Sequence, residues 1–229
     1  MRAVDIVALR RYPRSPNRVA FWTMGLHVST HPLAHHLTTT LRDKETGPHT
    51  FRQAARILSS LLAVEATASL PTKPVSVVTP IKEMTGAVLA QPLAVIPILR
   101  AGLSMLEPFL ELFPEVAVGY VGLERDHETA EASSYYCKLP TLAGKAALVV
   151  DPMLATGGSA SQAIDLVKAE GPASVRLVSV VAAPEGVARM QRDHPDVEIY
   201  CAALDEGLND RSYIVPGLGD YGDRLYGTG

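Results

Sequence analysis

Residues 146–159 read AALVVDPMLATGGS, an apolar run that ends in a carboxylate and then a glycine-rich turn. The first five residues are typical of a strand buried in a parallel sheet. Pro152 favours extended backbone at Asp151, and the small side chains of residues 155–159 allow main-chain N–H groups to converge on an anion where the next helix begins. The stretch therefore predicts a strand, a phosphate-binding turn and a helix, which together indicate an α/β fold.

The apolar pattern alternates between strand and helix along most of the chain. Strands are predicted at residues 93–99, 116–123, 145–151, 175–182 and 197–203. Helices are predicted at residues 50–66, 102–112, 159–170 and 185–192. Strands that alternate with helices imply a parallel sheet covered on both faces, and such sheets bind ligands beyond the carboxyl ends of their strands. The Asp151 turn lies at such an end.

Composition excludes several classes of function. The 229 residues carry 24 acidic and 21 basic side chains, a formal charge of −3 without the basic excess that nucleic-acid-binding proteins usually show. Apolar residues make up 47% of the chain, but no apolar run is long enough to cross a membrane. Cys137 and Cys201 are too few for a disulfide framework. We therefore expect a soluble protein of a reducing compartment, the cytoplasm.

The N-terminal segment differs from the rest of the chain. Five arginines among its first 18 residues are opposed by Asp5 alone. Organelle transit peptides are also rich in arginine, but this segment has few serines and contains Pro13 and Pro16. We expect residues 1–25 to be an extension, either disordered or upstream of a true start at Met24, and residues 26–229 to form the functional domain.

A second predicted strand ends in Ile98-Leu99-Arg100-Ala101-Gly102. The arginine suits a forked contact with phosphate oxygens, and the small residues after it leave room for a ligand. By itself, however, an arginine after a strand is more often a surface residue than a functional one. The residues alone leave both interpretations open.

Two stretches have no regular apolar period. Residues 124–140 are polar, which fits either a mobile surface loop or a lid that keeps water from a reaction. The tail from Gly207 to Arg224 is rich in glycine but also contains residues of the buried type. It fits either a floppy end or an ordered loop whose main chain faces a ligand.

The histidines give weaker signals. His27, His31 and His35 have the four-residue spacing of one helical face, but Pro32 is expected to interrupt a helix there, and no carboxylate completes a metal site. His194 precedes a proline, and we expect it to be a solvated helix end. No Ser/His/Asp arrangement stands out in the sequence.

The string from Asp151 to Ser159 resembles the phosphoribosyl pyrophosphate (PRPP) motif of type I phosphoribosyltransferases, in the form of their uracil phosphoribosyltransferase branch. Val150 stands where many members of the wider fold carry a first acidic residue, as is expected of that branch. The resemblance extends from about residue 26 to residue 228, with its motifs in the family order. It implies a type I phosphoribosyltransferase-like α/β fold, a parallel sheet flanked by helices with a flexible arm at residues 125–140 and a C-terminal hood that binds the base.

The implied reaction belongs to pyrimidine salvage and converts uracil and PRPP to UMP and diphosphate. The resemblance implies catalytic roles for Arg100, Arg125, Asp151 and Asp220. It implies PRPP contacts for Arg100, Arg125, Asp151, Pro152, Met153, Leu154, Ala155, Thr156, Gly157, Gly158, Ser159 and Asp220. It implies uracil contacts for Ile214, Gly219, Asp220 and Tyr221.

The resemblance also implies local geometry and partners. The bond between Leu99 and Arg100 is the candidate for a cis peptide that the family often has. Tyr221 replaces a frequent alanine, but recognition through the backbone implies an unchanged base. Mg²⁺ is the implied cofactor, held mainly by PRPP and not by a protein metal site. Homo-oligomers, dimers or larger, are implied, GTP is a candidate effector, and neither nucleic acid nor a membrane is an expected partner.

Two rivals to uracil transfer stay open. The first is a phosphoribosyltransferase that acts on another base. The second is a regulatory, RNA-binding relative of the same fold that senses pyrimidine nucleotides. The absence of a basic excess and the intact substrate segments speak against the second rival.

Overall fold

The described part of the chain forms six helices and thirteen strands. A computed structural model describes residues 25–125 and 132–228, with the backbone alone at residues 124, 125 and 132–134. The described helices are α1 (Pro32–Arg42), α2 (Pro48–Thr67), α3 (Leu103–Leu112), α4 (Gly158–Ala169), α5 (Pro184–Asp193) and α6 (Tyr221–Tyr226). The described strands are β1 (Leu26–Val28), β2 (Thr72–Val78), β3 (Glu83–Leu89), β4 (Leu93–Leu99), β5 (Ala117–Val118), β6 (Tyr120–Arg125), β7 (Ala132–Lys138), β8 (Ala146–Val150), β9 (Met153–Leu154), β10 (Ser174–Ala182), β11 (Glu198–Leu204), β12 (Gly207–Leu208) and β13 (Ile214–Val215).

A central sheet positions the ends of the strands. Its main path, in the described part of the chain, has the order β1-β11-β10-β8-β4-β6-β7, with β5 beside β4 and β9 beside β10. All these pairs are parallel except β6 with β7. Because β8 lies between β4 and β10, the turns that follow β4 and β8 leave the same edge of the sheet side by side. Ligands of parallel sheets bind at this edge.

Helices cover both faces of the sheet. On one face, α1, α2, α3 and α6 contribute to a core that includes the fully buried Phe51, Leu58 and Phe109. On the other face, α4 and α5 pack against the sheet through residues such as Ile164 and Met190. Every residue of β8 is buried between these two cores, which explains its uninterrupted apolar sequence. Among the described helices, none is both long and apolar enough to span a membrane.

Most of the predicted elements are present near their predicted limits. The strand predicted at residues 93–99 coincides with β4. The strands β8, β10 and β11 and the helices α3, α4 and α5 each begin and end within one residue of the prediction. The helix predicted from residue 50 begins two residues earlier, because Pro48 occupies its first turn and proline is favoured there.

The strand predicted at residues 116–123 is interrupted. β5 and β6 both pair with β4, and Gly119 lies between them. The N–H of Gly119 donates to the carbonyl of Val95 at 3.1 Å. The next bond of the ladder is missing because Pro97 of β4 has no N–H to donate. The proline in β4 therefore divides the neighbouring strand into β5 and β6.

One of two expectations about histidine-containing segments was wrong. As expected, no helix runs through Pro32: α1 begins at this residue, and Nδ1 of the N-cap residue His31 accepts the N–H of Leu33 at 3.1 Å. His194, in contrast, is not solvated: it is 3% exposed, and its Nε2 lies 3.0 Å from Oγ of Ser161. The burial of His194 depends on what packs against it, which the local sequence does not show.

Regular secondary structure also occurs where the apolar residues of the sequence showed no regular spacing. The two sides of the predicted arm are the antiparallel strands β6 and β7, and residues 126–131 between them lie outside the described part of the chain. The C-terminal tail contains the short antiparallel pair β12 and β13, followed by α6. The hairpin formed by β2 and β3 had no predicted counterpart.

Candidate active site

The turn after β8 is held against β10. The N–H of Asp151 donates to the carbonyl of Val178 at 3.1 Å, and the carbonyl of Pro152 accepts the N–H of Val180 at 3.0 Å. β9 then pairs with the end of β10, and Leu154 is 1% exposed. The motif that begins at Asp151 therefore starts as an extension of the sheet, which fixes the position of the residues that follow it.

Glycines bring backbone close to backbone at the start of α4. Gly157, the N-cap residue, has a φ of 76°, a left-handed conformation that other residues rarely adopt. A Cβ on Gly186 of α5 would lie 2.5 Å from the carbonyl oxygen of Ala155, so only glycine allows α5 to pack against the turn. The first N–H groups of any α-helix have no partner within the helix and, together with its dipole, attract an anion. Residues 155–159 can therefore accept a phosphate.

The turn after β4 lies directly beside the turn after β8. A Cβ on Gly102 would lie 2.5 Å from the carbonyl oxygen of Val150, the last residue of β8. The peptide bond between Leu99 and Arg100 is cis, which confirms the prediction for this bond. The exposed Arg100 therefore stands next to the beginning of the motif at Asp151.

A cavity of about 380 Å³ lies between the β8 turn and the C-terminal segment. Its size falls in the range of small-molecule sites. Met153 and Ala155 line it from the β8 turn, and Ala101 lines it from the β4 turn. The four residues predicted to contact uracil also line this cavity: Ile214, Gly219, Asp220 and Tyr221.

A second cavity, of about 580 Å³, adjoins the first. Arg100 and Leu123 line it on the side of the sheet. Ala101, Asp220 and Gly222 line both cavities, so the two spaces meet at these residues. One arginine and two exposed carboxylates, Asp220 and Asp223, therefore line the second cavity, and Asp220 lies at its junction with the first.

The structure does not bring every predicted residue to these two cavities. Asp151 is half-buried at the start of the β8 turn. Together with Pro152, Leu154 and residues 156–159, it lies on that turn without lining either of the two cavities. The side chain of Arg125, at the end of β6, lies outside the described residues.

Tyr221 anchors the C-terminal segment on the core. The residue is 2% exposed, and the centroid of its ring lies 5.2 Å from that of Phe51 in an edge-on contact. Its hydroxyl lies 3.3 Å from Oγ of Ser104, which donates to the carbonyl of Ala101 at 2.8 Å. Burial raises the pKa of Tyr221 to about 12. The ring points into the core, so the first cavity meets little of this side chain.

Arg224 ties the same segment to α1. Its guanidinium donates to the carbonyls of Leu218 at 2.8 Å and Asp43 at 2.5 Å, and it lies 4.6 Å from the ring centroid of Phe51. Burial lowers the pKa of Arg224. The carbonyls at the end of α1 thereby gain a cationic partner, which a helix C-terminus favours.

Sequence reasoning missed a group of residues that line the first cavity, namely Arg211, Ser212 and Tyr213. They lie on a turn shaped by Asn209, whose Oδ1 accepts the N–H of Arg211 at 2.9 Å and the N–H of Tyr213 at 3.0 Å. Ser212 has a φ of 62° in this turn. The adjacent Asn209 and Asp210 are residues typical of turns, and they are the signal that could have located it.

The histidines with helical spacing have structural contacts. The ring of His27 stacks on Tyr200 at a centroid distance of 4.4 Å, and Nε2 of His35 lies 3.2 Å from the carbonyl oxygen of Ser29. Across residues 25–125 and 132–228, no three His, Cys, Asp or Glu side chains are grouped closely enough to hold a metal ion.

Comparison with known proteins gives concordant matches. A family model described as "Uracil phosphoribosyltransferase" matches residues 28–228. A uracil phosphoribosyltransferase of an Exiguobacterium species is 54% identical over 205 residues, which cover 89% of this chain and 98% of that protein. One from Bacillus cereus is 51% identical over the same shares of the two chains. Among solved structures, the AQ2163 protein from Aquifex aeolicus is 40% identical, with a TM-score of 0.84 over 88% of this chain and 97% of that one.

Proposed function

The chain belongs to the uracil phosphoribosyltransferase family, and we propose that its two adjoining cavities hold the two substrates of that enzyme. The protein joins uracil to the phosphoribosyl group of PRPP, giving UMP and diphosphate in pyrimidine salvage. The observation that carries the assignment of substrates to cavities is the shared lining, because the residues at the junction contact both spaces. A reaction between two bound molecules needs such contact.

The first cavity is proposed to hold uracil. One edge of the uracil ring presents an acceptor, a donor and a second acceptor, and the N–H and C=O groups of a main chain can supply the complement. Ile214, Gly219, Asp220 and Tyr221 line the cavity, and the Tyr221 ring is turned into the core. Bases with another edge pattern would leave buried polar groups unpaired, which selects against them.

The β8 turn is proposed to hold the ribose 5-phosphate part of PRPP. Residues 155–159 lie where α4 begins and offer main-chain N–H groups to the 5′-phosphate. Asp151 precedes them at the end of β8 and is proposed to accept hydrogen bonds from the ribose hydroxyls. Met153 and Ala155 border the first cavity, so a sugar on this turn would have its C1′ directed toward the base.

The second cavity is proposed to hold the diphosphate. Negative charge grows on this group as its bond to C1′ loosens, and Arg100, which lines this cavity, offers a guanidinium to stabilise it. Arg125 is proposed for the same purpose on the family resemblance. The arm formed by β6 and β7 borders this cavity at Leu123 and is proposed to exclude water from the electron-poor sugar.

Mg²⁺ is the proposed cofactor. It usually binds one or two carboxylates together with substrate phosphates and water, and the exposed Asp220 fits this donor set at the junction of the cavities. The ion would neutralise charge on the diphosphate. Asp220 also caps α6, because its Oδ1 accepts the N–H of Asp223 at 2.9 Å, so its position is fixed before the ligand binds.

Assembly and location complete the proposal. The β2 and β3 hairpin carries exposed apolar side chains, with Val78 and Ile81 at 82% and 93% exposure, and such a surface favours a homo-oligomer. Two free cysteines fit the cytoplasm. We also propose a single functional domain from residue 26 onward, in line with the family match from residue 28. GTP stays a candidate effector, for which rates with and without GTP are the test.

A comparison of bases tests the function. Release of diphosphate from PRPP is measured with uracil, cytosine, hypoxanthine and orotate side by side. Uracil alone should support rapid release, with UMP as the product. Rapid release with another base would favour the rival transferase, and tight binding of pyrimidine transcript RNA in a filter assay without diphosphate release would favour the regulatory relative.

A further inference from the structure

Arg189 brings a positive charge to the β8 turn. It lies on α5, which packs beside α4 on the same face of the sheet. A Cβ built on Gly158 would lie 3.3 Å from Nη1 of Arg189 and 3.9 Å from its Cζ. The same position would lie 3.6 Å from Oγ1 of Thr156. The guanidinium therefore borders the first residue of α4, beside a hydroxyl of the predicted phosphate-binding turn.

The charge of Arg189 is poorly compensated by its neighbours. Its Nε lies 3.4 Å from Oδ2 of Asp193, close enough for an ion pair but without the geometry of a hydrogen bond. Asp193 is already bound through both oxygens by Arg192, at 2.8 Å and 3.2 Å. Within the described residues, Nε of Arg189 is buried and has no hydrogen-bond partner.

A cation at this place is unfavourable in the absence of a ligand. The first turn of an α-helix carries a partial positive charge, so a guanidinium beside the start of α4 is repelled by it. An anion bound between the guanidinium and the N–H groups of α4 converts this repulsion into two attractions. The side chain is 42% exposed, which leaves its terminal nitrogens room to turn toward such an anion.

We infer that Arg189 is an additional ligand of the 5′-phosphate of PRPP and of UMP. The inference rests on the proposed function, which places that phosphate on residues 155–159. The backbone of the turn supplies N–H groups to the phosphate from α4, and Arg189 supplies a full positive charge from α5. Nothing in the sequence pointed to this residue, because α5 reads as an ordinary amphipathic helix.

Binding of three ligands tests the inference. Dissociation constants of ribose 5-phosphate, UMP and uridine are measured by calorimetry for the wild type, Arg189→Ala, Arg189→Gln and Arg189→Lys. Arg189→Ala and Arg189→Gln should weaken ribose 5-phosphate and UMP about tenfold, the loss expected for a charge-assisted hydrogen bond. Arg189→Lys should retain part of the wild-type affinity for these two ligands. Uridine, which has no phosphate, should bind all four proteins equally.

The control is Arg56→Ala. Arg56 is a half-exposed arginine of α2 that is paired with Glu111, and it does not border Gly158. Its removal should leave all three dissociation constants unchanged. The thermal midpoint of ligand-free Arg189→Ala should equal or exceed that of the wild type, because a repelled charge has been removed.

Two results would overturn the inference. The first is binding of ribose 5-phosphate and UMP to Arg189→Ala within twofold of the wild type. The second is an equal loss for uridine, together with a lower thermal midpoint, which would show a structural role. Failure of the proposed function is recognised separately: a wild-type protein that makes no UMP from uracil fails there, while ribose 5-phosphate still reports on Arg189.

Discussion

Asp205 binds Arg42 with both of its carboxylate oxygens, although 163 residues separate the two in sequence. Its Oδ2 accepts Nη1 of Arg42 at 2.9 Å and also the N–H of Gly217 at 2.9 Å. Nη1 of Arg42 donates in addition to the carbonyl of Gly217 at 2.7 Å. The pair therefore links the end of α1, the end of β11 and the C-terminal segment that lines the first cavity.

Arg42→Ala should weaken both the fold and uracil binding. The Asp205 side chain is 3% exposed, so loss of its partner leaves a buried carboxylate and costs about 2 kcal/mol of unfolding free energy. The KM for uracil should rise more than the KM for PRPP, because the C-terminal segment loses its anchor. Thermal melting and steady-state kinetics check this. Lys44→Ala, whose side chain is 90% exposed, is the control, and equal effects of both variants would contradict the account.

Gly102→Ala should abolish activity. The added Cβ would lie 2.5 Å from the carbonyl oxygen of Val150 and 2.6 Å from that of Ile98, and neither backbone can yield easily. The turns after β4 and β8 would be pushed apart. Gly47→Ala is the control, because its Cβ would meet nothing within 4 Å. Activity of Gly102→Ala near that of the wild type would show that the close approach of the two turns is unnecessary.

Arg100→Ala should lower turnover far more than stability. The side chain is exposed and borders the second cavity, where charge grows on the diphosphate. Loss of one such electrostatic contact typically lowers kcat about 10²- to 10³-fold. Arg100→Lys keeps the positive charge but lacks the paired N–H donors of a guanidinium, and it should retain intermediate activity. Parallel losses of thermal stability and activity would count against a role in catalysis.

Tyr221→Phe and Tyr221→Ala should separate the hydroxyl from the ring. The first removes the contact with Ser104 and should cost about 1 kcal/mol of unfolding free energy. The second empties the space beside Phe51 and should cost about 3 to 5 kcal/mol. Both should still prefer uracil to cytosine, since the ring points away from the base. A Tyr221→Phe protein that accepts cytosine would refute this placement of the ring.

Stability should fall at alkaline pH through Cys201. Burial raises the pKa of this thiol to about 12 from an ordinary 9.0. A raised pKa means that the stabilisation by the neutral thiol is complete below pH 9 and is lost as pH rises toward 12. Halfway through this pH interval, the free energy of unfolding has fallen by about 2 kcal/mol. Urea unfolding at two alkaline pH values should show a smaller decline for Cys201→Ala than for the wild type, and equal declines would contradict the prediction.

Local sequence was sufficient for the elements that carry chemistry. β8 and the β8 turn are consecutive, and burial on both faces leaves an unbroken apolar run that is easily recognised. The order of the strands was not accessible in the same way, because pairing of β8 with β4 depends on contacts distant in sequence. The break beside Gly119 likewise arises from Pro97 in another strand.

The C-terminal segment shows why the rest of the site was missed. Its conformation is set by Arg42, Asp205 and Arg224, each of which has a partner more than a hundred residues away in the chain. Arg211 and Tyr213 reach the first cavity through a turn closed by the side chain of Asn209. Periodicity carries no information about such contacts, since they join single residues and not faces of helices or strands.

The central claim is that uracil and the diphosphate of PRPP occupy adjoining cavities that meet at Asp220. A crystal structure with UMP and diphosphate bound tests it most directly. The account predicts the uracil ring against the main chain of residues 214–221, the 5′-phosphate on residues 155–159, and the diphosphate beside Arg100. A base bound away from Ile214 and Gly219, or a diphosphate that does not approach Arg100, would contradict it.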